Sequence, residues 1–235
     1  MPSRINGPLA HYLTEELPLA IENHGRSAGF SDWSVAAADR IRRCPDRMCH
    51  SRVCPRCTRI EARGRANEYR SKISGHSIPW GHSWGHFVLA PAWTGAENVD
   101  HDAYREAVQK IGSAVRYLRR NFWTEPRIAG VCRVEISPAG FAHGHLLVCA
   151  PEDRGGLDAV QAGVRKWSKG RMRLEVDQYP VSADGILAVT DYVFKGPVPT
   201  LRGTWLDPNI AARFLCGTRN MHLGRPFGRF QRIST

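Results

Sequence analysis

Apolar positions recur along this chain with two different periods, and the alternation between them lays out the elements. His86–Ala90 (HFVLA) is a short apolar run of strand length. Tyr104, Val108, Ile111, Val115, Leu118 and Phe122 then recur at helical spacing. Asp100 stands where it can cap that helix, with Val99 and Tyr104 placed as a hydrophobic staple. Gly130–Ser137 and Phe141–Ala150 read as two strands. Leu157, Val160, Val164 and Trp167 mark a second amphipathic helix. Arg171–Gln178 alternates Met172, Leu174 and Val176 with charge, the pattern of a half-exposed strand. A last helix runs from about Gly185 to Lys195 and stops at Gly196-Pro197. Upstream, the pattern predicts a short helix near Ser34–Arg43 and a basic helix near Thr58–Ile73. It leaves Gly75–Gly85 (GHSIPWGHSWG) as a loop.

The order β-α-β-β-α-β-α predicts an α+β fold. Its first six elements match the ferredoxin-like split βαβ arrangement, an antiparallel sheet backed by two helices. That topology serves many functions, so it assigns none. Three intervals follow: a Cys-rich basic region over 1–85, the α+β body over 86–200, and a basic tail over 201–235.

Charge sharpens this division. The 235 residues carry a formal net charge of +11. Residues 40–72 hold eleven Lys/Arg against three Asp/Glu, and residues 213–235 hold five Arg and no acid. The excess therefore flanks a nearly neutral body, a distribution suited to a polyanion such as nucleic acid and also to solvated surface. The start of the chain lacks the basic and apolar stretches of a secretory signal, and no apolar run reaches the roughly 18 residues of a membrane span. A cytoplasmic location is the expectation.

Four of the seven cysteines crowd into CPDRMCHSRVCPRC, at Cys44, Cys49, Cys54 and Cys57. Four thiolates can close a tetrahedral zinc site, and Cys54-x-x-Cys57 has the spacing of a zinc half-site. His50 is a substitute ligand, and redox or disulfide use and inert thiols are the other readings. Arg42, Arg43, Arg47, Arg52, Arg56 and Arg59 would ride on this knuckle as phosphate contacts.

The segment Val131–Ala150 carries the chemistry. His143 and His145 are two apart in a strand, so both point to one face. If Pro138-Ala139-Gly140 is a three-residue hairpin loop, with Gly140 left-handed, Glu135 faces His143 and Arg133 faces His145. Opposed residues share a face with Cβ atoms roughly 5 Å apart. A Glu/His/His cluster results, suited to Mn²⁺ or to Mg²⁺ with waters. The same pattern also fits a pair of surface histidines. In GILAVTDYVFKGP, Tyr192 and Lys195 are three apart on one helix face. Alone they fit a nucleophile beside a cation or a packing tyrosine with a solvated lysine.

Together these segments resemble the HUH endonucleases, and among them the plasmid-type rolling-circle replication initiators. Such proteins have a first apolar strand (here HFVLAP), then an acidic residue with a His-x-His motif (Glu135 and AHGHLLV), then a Tyr-x-x-Lys helix (Tyr192 to Lys195). The agreement spans roughly residues 86–196. The resemblance implies a metal held by Glu135, His143 and His145, attack by Tyr192 on a scissile phosphate, a 5′-phosphotyrosine intermediate, and Lys195 assisting. It implies single-stranded DNA at a replication origin as partner, host helicase and polymerase, and a second copy acting during resolution. Two positions depart from the family pattern. The residue between the histidines is usually bulky but here is Gly144, which leaves the core side of the strand unfilled. Ala188 stands where a Glu or second Tyr is common. A single-tyrosine transposase and a non-enzymatic zinc-containing nucleic-acid-binding module are the competing readings.

Overall fold

The computed structural model describes residues 5, 7–74, 82–91, 99–122, 129–152, 155–168, 174–181, 185–195 and 205–228. The chain begins with α1 (Pro8–His11), a π turn at Tyr12–Glu16 and α2 (Leu17–Ser27). Pro18 has no N–H to continue an α ladder, and the wider turn immediately precedes it. Next come α3 (Ser31–Arg42) and α4 (Pro55–Ser74). The body follows as β1 (His82–Pro91), α5 (His101–Phe122), β2 (Ala129–Ile136), β3 (Ala142–Pro151), α6 (Gly156–Ser168), β4 (Leu174–Val181) and α7 (Ile186–Val193). Helix α8 (Pro208–Gly217) and β5 (Gly224–Gly228) complete the described elements.

The fold is α+β, built on one sheet of order β4-β1-β3-β2-β5 with every pair antiparallel. Strand residues alternate faces. Phe87, Leu89, Val134, Leu146 and Val148 point one way, into a core with Ile111, Leu118, Val160 and Val164 of α5 and α6. Val131, Leu147, Cys149 and Trp84 point the other way, under Tyr69 of α4 and Val193 and Phe194 at the end of α7. A third core joins α1–α3, the thiols of Cys44, Cys54 and Cys57, and Phe214 and Leu215 of α8.

Most predicted elements form. Asp100 caps α5 by accepting from Ala103 N at 2.8 Å, and Val99 and Tyr104 are buried beside it. Three expectations need correction. Strand β1 begins at His82, so the last four residues of the predicted 75–85 loop are strand and the 85/86 boundary falls inside β1. Gly85 is buried there because a Cβ would sit 2.7 Å from Leu157 Cδ2. Residues 75–81 lie outside the described set. Strand β4 continues past Gln178 to Val181, and 171–173 also lie outside that set. The basic tail over 201–235 is instead structured through 205–228. Asp207 caps α8 through Asn209 N and Ile210 N, and β5 adds an edge strand to β2. Among the described residues no helix is long and apolar enough to cross a membrane.

Candidate metal and nucleophile site

The β2–β3 hairpin has the register that the loop arithmetic predicts, pairing Glu135 with His143 and Arg133 with His145. Gly140 takes φ +87, a left-handed conformation that a side chain would strain. Ser137 N donates to Phe141 O at 2.8 Å and closes the loop. This turn fixes which face the ligands share.

Nε2 of His143 and Nε2 of His145 each lie 2.7 Å from Oε1 of Glu135. The three donor atoms converge on one point. The other ring nitrogens are engaged behind them. His143 Nδ1 is 3.2 Å from Phe141 O, and His145 Nδ1 is 2.9 Å from His86 Nε2. Holding Nδ1 in a hydrogen bond sets the tautomer that leaves the Nε2 lone pair facing the cluster. His145 is 1% exposed, and its Nε2, although close to the carboxylate, makes no well-aligned hydrogen bond. A buried imidazole nitrogen aimed at a carboxylate without bonding to it fits a ligand set for a divalent ion. Burial pushes the Glu135 carboxyl up, but the His143 and His145 imidazoles against it and the nearby Lys195 charge hold it well below the usual range. It is therefore an anion at neutral pH.

His86 is the residue that the sequence reading missed. It opens the apolar run HFVLA and sits on β1, with its ring stacked on His145 at 5.1 Å. Burial, then the neighbouring His145, push its pKa down to about 4, so it is neutral and able to accept from His145 Nδ1–H. The signal was a histidine starting a strand on the ligand face, but only the β1–β3 register brings it there.

Helix α7 brings Tyr192 over this cluster. Its ring lies 5.0 Å from the His145 ring and 5.8 Å from that of His86, both edge-on. Tyr192 remains 49% exposed, unusual for a large side chain over a packed sheet. Lys195 Nζ sits 3.8 Å from the centre of the Tyr192 ring and 2.9 Å from Glu135 Oε1. Tyr192, Lys195, Glu135, His143 and His145 thus form one constellation. Asp191, adjacent in sequence, points away and pairs with Arg70 of α4. Ala188 is exposed one turn earlier, and Asp184 lies outside the described residues.

The expected gap behind Gly144 does not exist. A Cβ there would lie 2.6 Å from Ile111 Cγ2, so the α5 side chain occupies the space that a bulky residue would fill.

The cysteine cluster also closes. Sγ···Sγ separations are 3.5 Å for Cys44–Cys54 and 3.6 Å for both Cys44–Cys57 and Cys49–Cys57. A disulfide would need about 2.05 Å, whereas four thiolates about 2.3 Å from a zinc ion stand slightly under 4 Å apart. The four thiols fit structural zinc. His50 does not join them, because its Nδ1 faces Glu61 at 3.0 Å.

The six arginines assigned to phosphates divide. Arg42 pairs with Glu22 and Asp39. Arg52 donates to Thr218 O and Met221 O, and Arg56 to Cys44 O and Pro45 O. These three brace the knuckle. Arg43, Arg47 and Arg59 are exposed. Arg59 lines a groove between α4 and the end of α7 with Arg63, Arg70, Asp191 and Lys195.

Neither protein-family models, nor curated proteins, nor solved structures give a match to this chain.

Proposed function

We propose that this chain is a metal-dependent enzyme that nicks and rejoins single-stranded DNA at an origin through Tyr192, acting as a rolling-circle replication initiator. One observation carries the reading: a half-exposed tyrosine and a lysine stand over buried Glu135 and His145 and half-buried His143, whose Nε2 atoms converge with the carboxylate on one point. The strand order β4-β1-β3-β2 with helices α5 and α6 on one face is the order of a ferredoxin-like sheet, which supports the same family reading.

A divalent ion such as Mn²⁺ or Mg²⁺, held by Glu135, His143 and His145, supplies Lewis acidity toward a phosphate oxygen. His86 and the Phe141 carbonyl keep the two imidazoles in the ligand tautomer. Lys195, whose Nζ lies 3.8 Å from the centre of the Tyr192 ring, stands beside the attacking side chain, where its charge can hold a phosphate. Tyr192 Oη bonds to phosphorus as the P–O3′ bond breaks, and the 3′ oxygen leaves as a hydroxyl. The 5′-phosphotyrosine remains a phosphoester, so attack by a 3′-hydroxyl reverses the step and joins strands. The basic groove along α4 supplies the path for the strand.

A base-stacking module of the ferredoxin-like type needs an open sheet face. Here Tyr69, Val193 and Phe194 cover that face beyond the ligand set, which disfavours the non-enzymatic reading.

The test uses a single-stranded oligonucleotide carrying the origin nick site, with Mn²⁺ or Mg²⁺. Wild-type protein should accumulate a covalent protein–DNA adduct, and Tyr192→Phe should form none. With Ala188 in place of a second nucleophile or base, the adduct should persist until an oligonucleotide with a 3′-hydroxyl is added, then yield a joined product. An adduct in Tyr192→Phe, or rapid decay to a free 5′-phosphate without acceptor, refutes the single-nucleophile scheme.

A further inference from the structure

We propose that the cavity beside the metal-ligand set, floored by Arg133, is a seat for a second backbone phosphate of the bound nucleic-acid strand. This rests on the nucleic-acid reading above but not on the nicking chemistry.

Arg133 lies on β2 two residues before Glu135, on the same face, and opposite His145. It is 8% exposed. Its Nε is buried with no hydrogen-bond partner, and among the described residues no carboxylate lies within ion-pair distance of its guanidinium. The contact recorded for that group is the Phe194 ring, 5.7 Å from the guanidinium carbon to the ring centre. A buried guanidinium without a direct ion pair is costly, by several kcal/mol after relaxation, which is why such groups are nearly always paired. Here the missing partner has a place to enter.

Arg133 lines a cavity of about 220 Å³ whose walls include Arg65 of α4, Arg52 and His50 of the knuckle, and His222 before β5. Its one acid is Glu61, and Glu61 is turned to His50 at 3.0 Å. The walls are therefore net positive and rich in donors. A planar guanidinium matches a phosphate through two parallel hydrogen bonds. Alternate residues of a strand stand roughly 7 Å apart. An anion on Arg133 is thus distinct from one at the Glu135 set and close enough to belong to the next nucleotide. The strand would run from Tyr192 toward the zinc knuckle.

The experiment measures binding of a short single-stranded oligonucleotide, without added divalent metal, across a salt series. It compares wild type with Arg133→Met and Arg65→Ala, and records melting temperatures with and without inorganic phosphate at constant ionic strength. Arg133→Met should weaken binding about tenfold or more and lower the slope of log affinity against log salt by about one. Its melting temperature should hold or rise, because an apolar chain replaces an unpaired buried charge. Arg65 is exposed, so Arg65→Ala keeps the fold and should weaken binding in the same sense. Unchanged affinity and slope in both variants overturns the seat. So does a melting temperature several degrees lower in Arg133→Met with normal binding by the folded fraction, which makes Arg133 structural. Stabilisation of wild type alone by inorganic phosphate, with oligonucleotide binding equal in all three proteins, assigns the cavity to a free anion and also overturns it. A wild type that fails to cleave yet shows the Arg133 dependence leaves the seat standing and removes only the nicking scheme.

Discussion

The ammonium of Lys195 lies 2.9 Å from Oε1 of Glu135, the oxygen that both histidine Nε2 atoms also approach. In the proposed reading the lysine and a dication would compete for one carboxylate, and a metal in the cluster would free Lys195 toward Tyr192. Lys195→Ala should bind Mn²⁺ about threefold to tenfold more tightly at low salt, since a like charge is removed. The same variant should form adduct about a hundredfold more slowly at saturating metal, the scale of lost assistance to a nucleophile. Calorimetric titration with Mn²⁺ and a timed gel assay measure the two. Weaker metal binding in Lys195→Ala would show that the lysine supports the ligand set instead of competing with it.

In the proposed metal set His86 would act only through His145, whose Nδ1 lies 2.9 Å from its Nε2. His86→Ala should loosen Mn²⁺ binding about tenfold to a hundredfold, the usual cost of losing a partner behind a ligand. His86→Gln should recover much of that loss, because its amide oxygen can accept the same Nδ1–H. The measurement is again metal titration, with DNA affinity as a control that should not move. Equal affinity in His86→Ala and wild type refutes the role.

Gly144 is held by shape. Gly144→Ala forces a methyl group to within 2.6 Å of Ile111 Cγ2 and should cost about 1–3 kcal/mol of stability. In an Ile111→Ala background the same change should cost much less. Denaturant unfolding of the four proteins gives the coupling directly. Additive effects would mean that α5 moves away freely.

Local rules made the hairpin legible. Pro138-Ala139-Gly140 sets the loop, the pleat sets the face, and Glu135, His143 and His145 follow without any distant contact. The cap at Asp100 was legible for the same reason. His86 was not, because its place depends on pairing β1 with a strand some sixty residues later, and periodicity carries no such register. Helix α8 carried a signal, Asp207-Pro208, that the arginine count of the segment obscured. The filling of Gly144 by Ile111 was hidden because a missing side chain can be replaced by one from another element. The roles of Arg42, Arg52 and Arg56 were misjudged since charge totals do not reveal which cations already have acceptors at home.

Zinc should be integral to the fold. Cys44, Cys54 and Cys57 are fully buried in the core shared by α2, α3 and α8. Purified protein should contain one Zn²⁺ per chain by elemental analysis. A Cys54→Ser, Cys57→Ser double variant should lose it, together with a cooperative part of the helical circular dichroism signal. Adduct formation should fall as well, although the Glu135 set is untouched. Protein isolated without zinc and with four freely titrating thiols would end this assignment.

Helix α4 holds Cys57 near one end and, more than three turns on, Tyr69 and Arg70. Tyr69 stacks on Phe194 at 4.3 Å, and Arg70 pairs with Asp191, so both grip the segment that presents Tyr192. The helix is thus a screw of fixed pitch between the thiol cluster and the contacts that hold the Tyr192 segment, roughly 18 Å apart along its axis. Substitutions on its outer face leave that pitch alone. Insertion of one residue between Cys57 and Tyr69 turns both gripping side chains by about 100° and advances them 1.5 Å. Lineages carrying this device can drift in sequence along α4, but they can change its length only in steps close to whole turns.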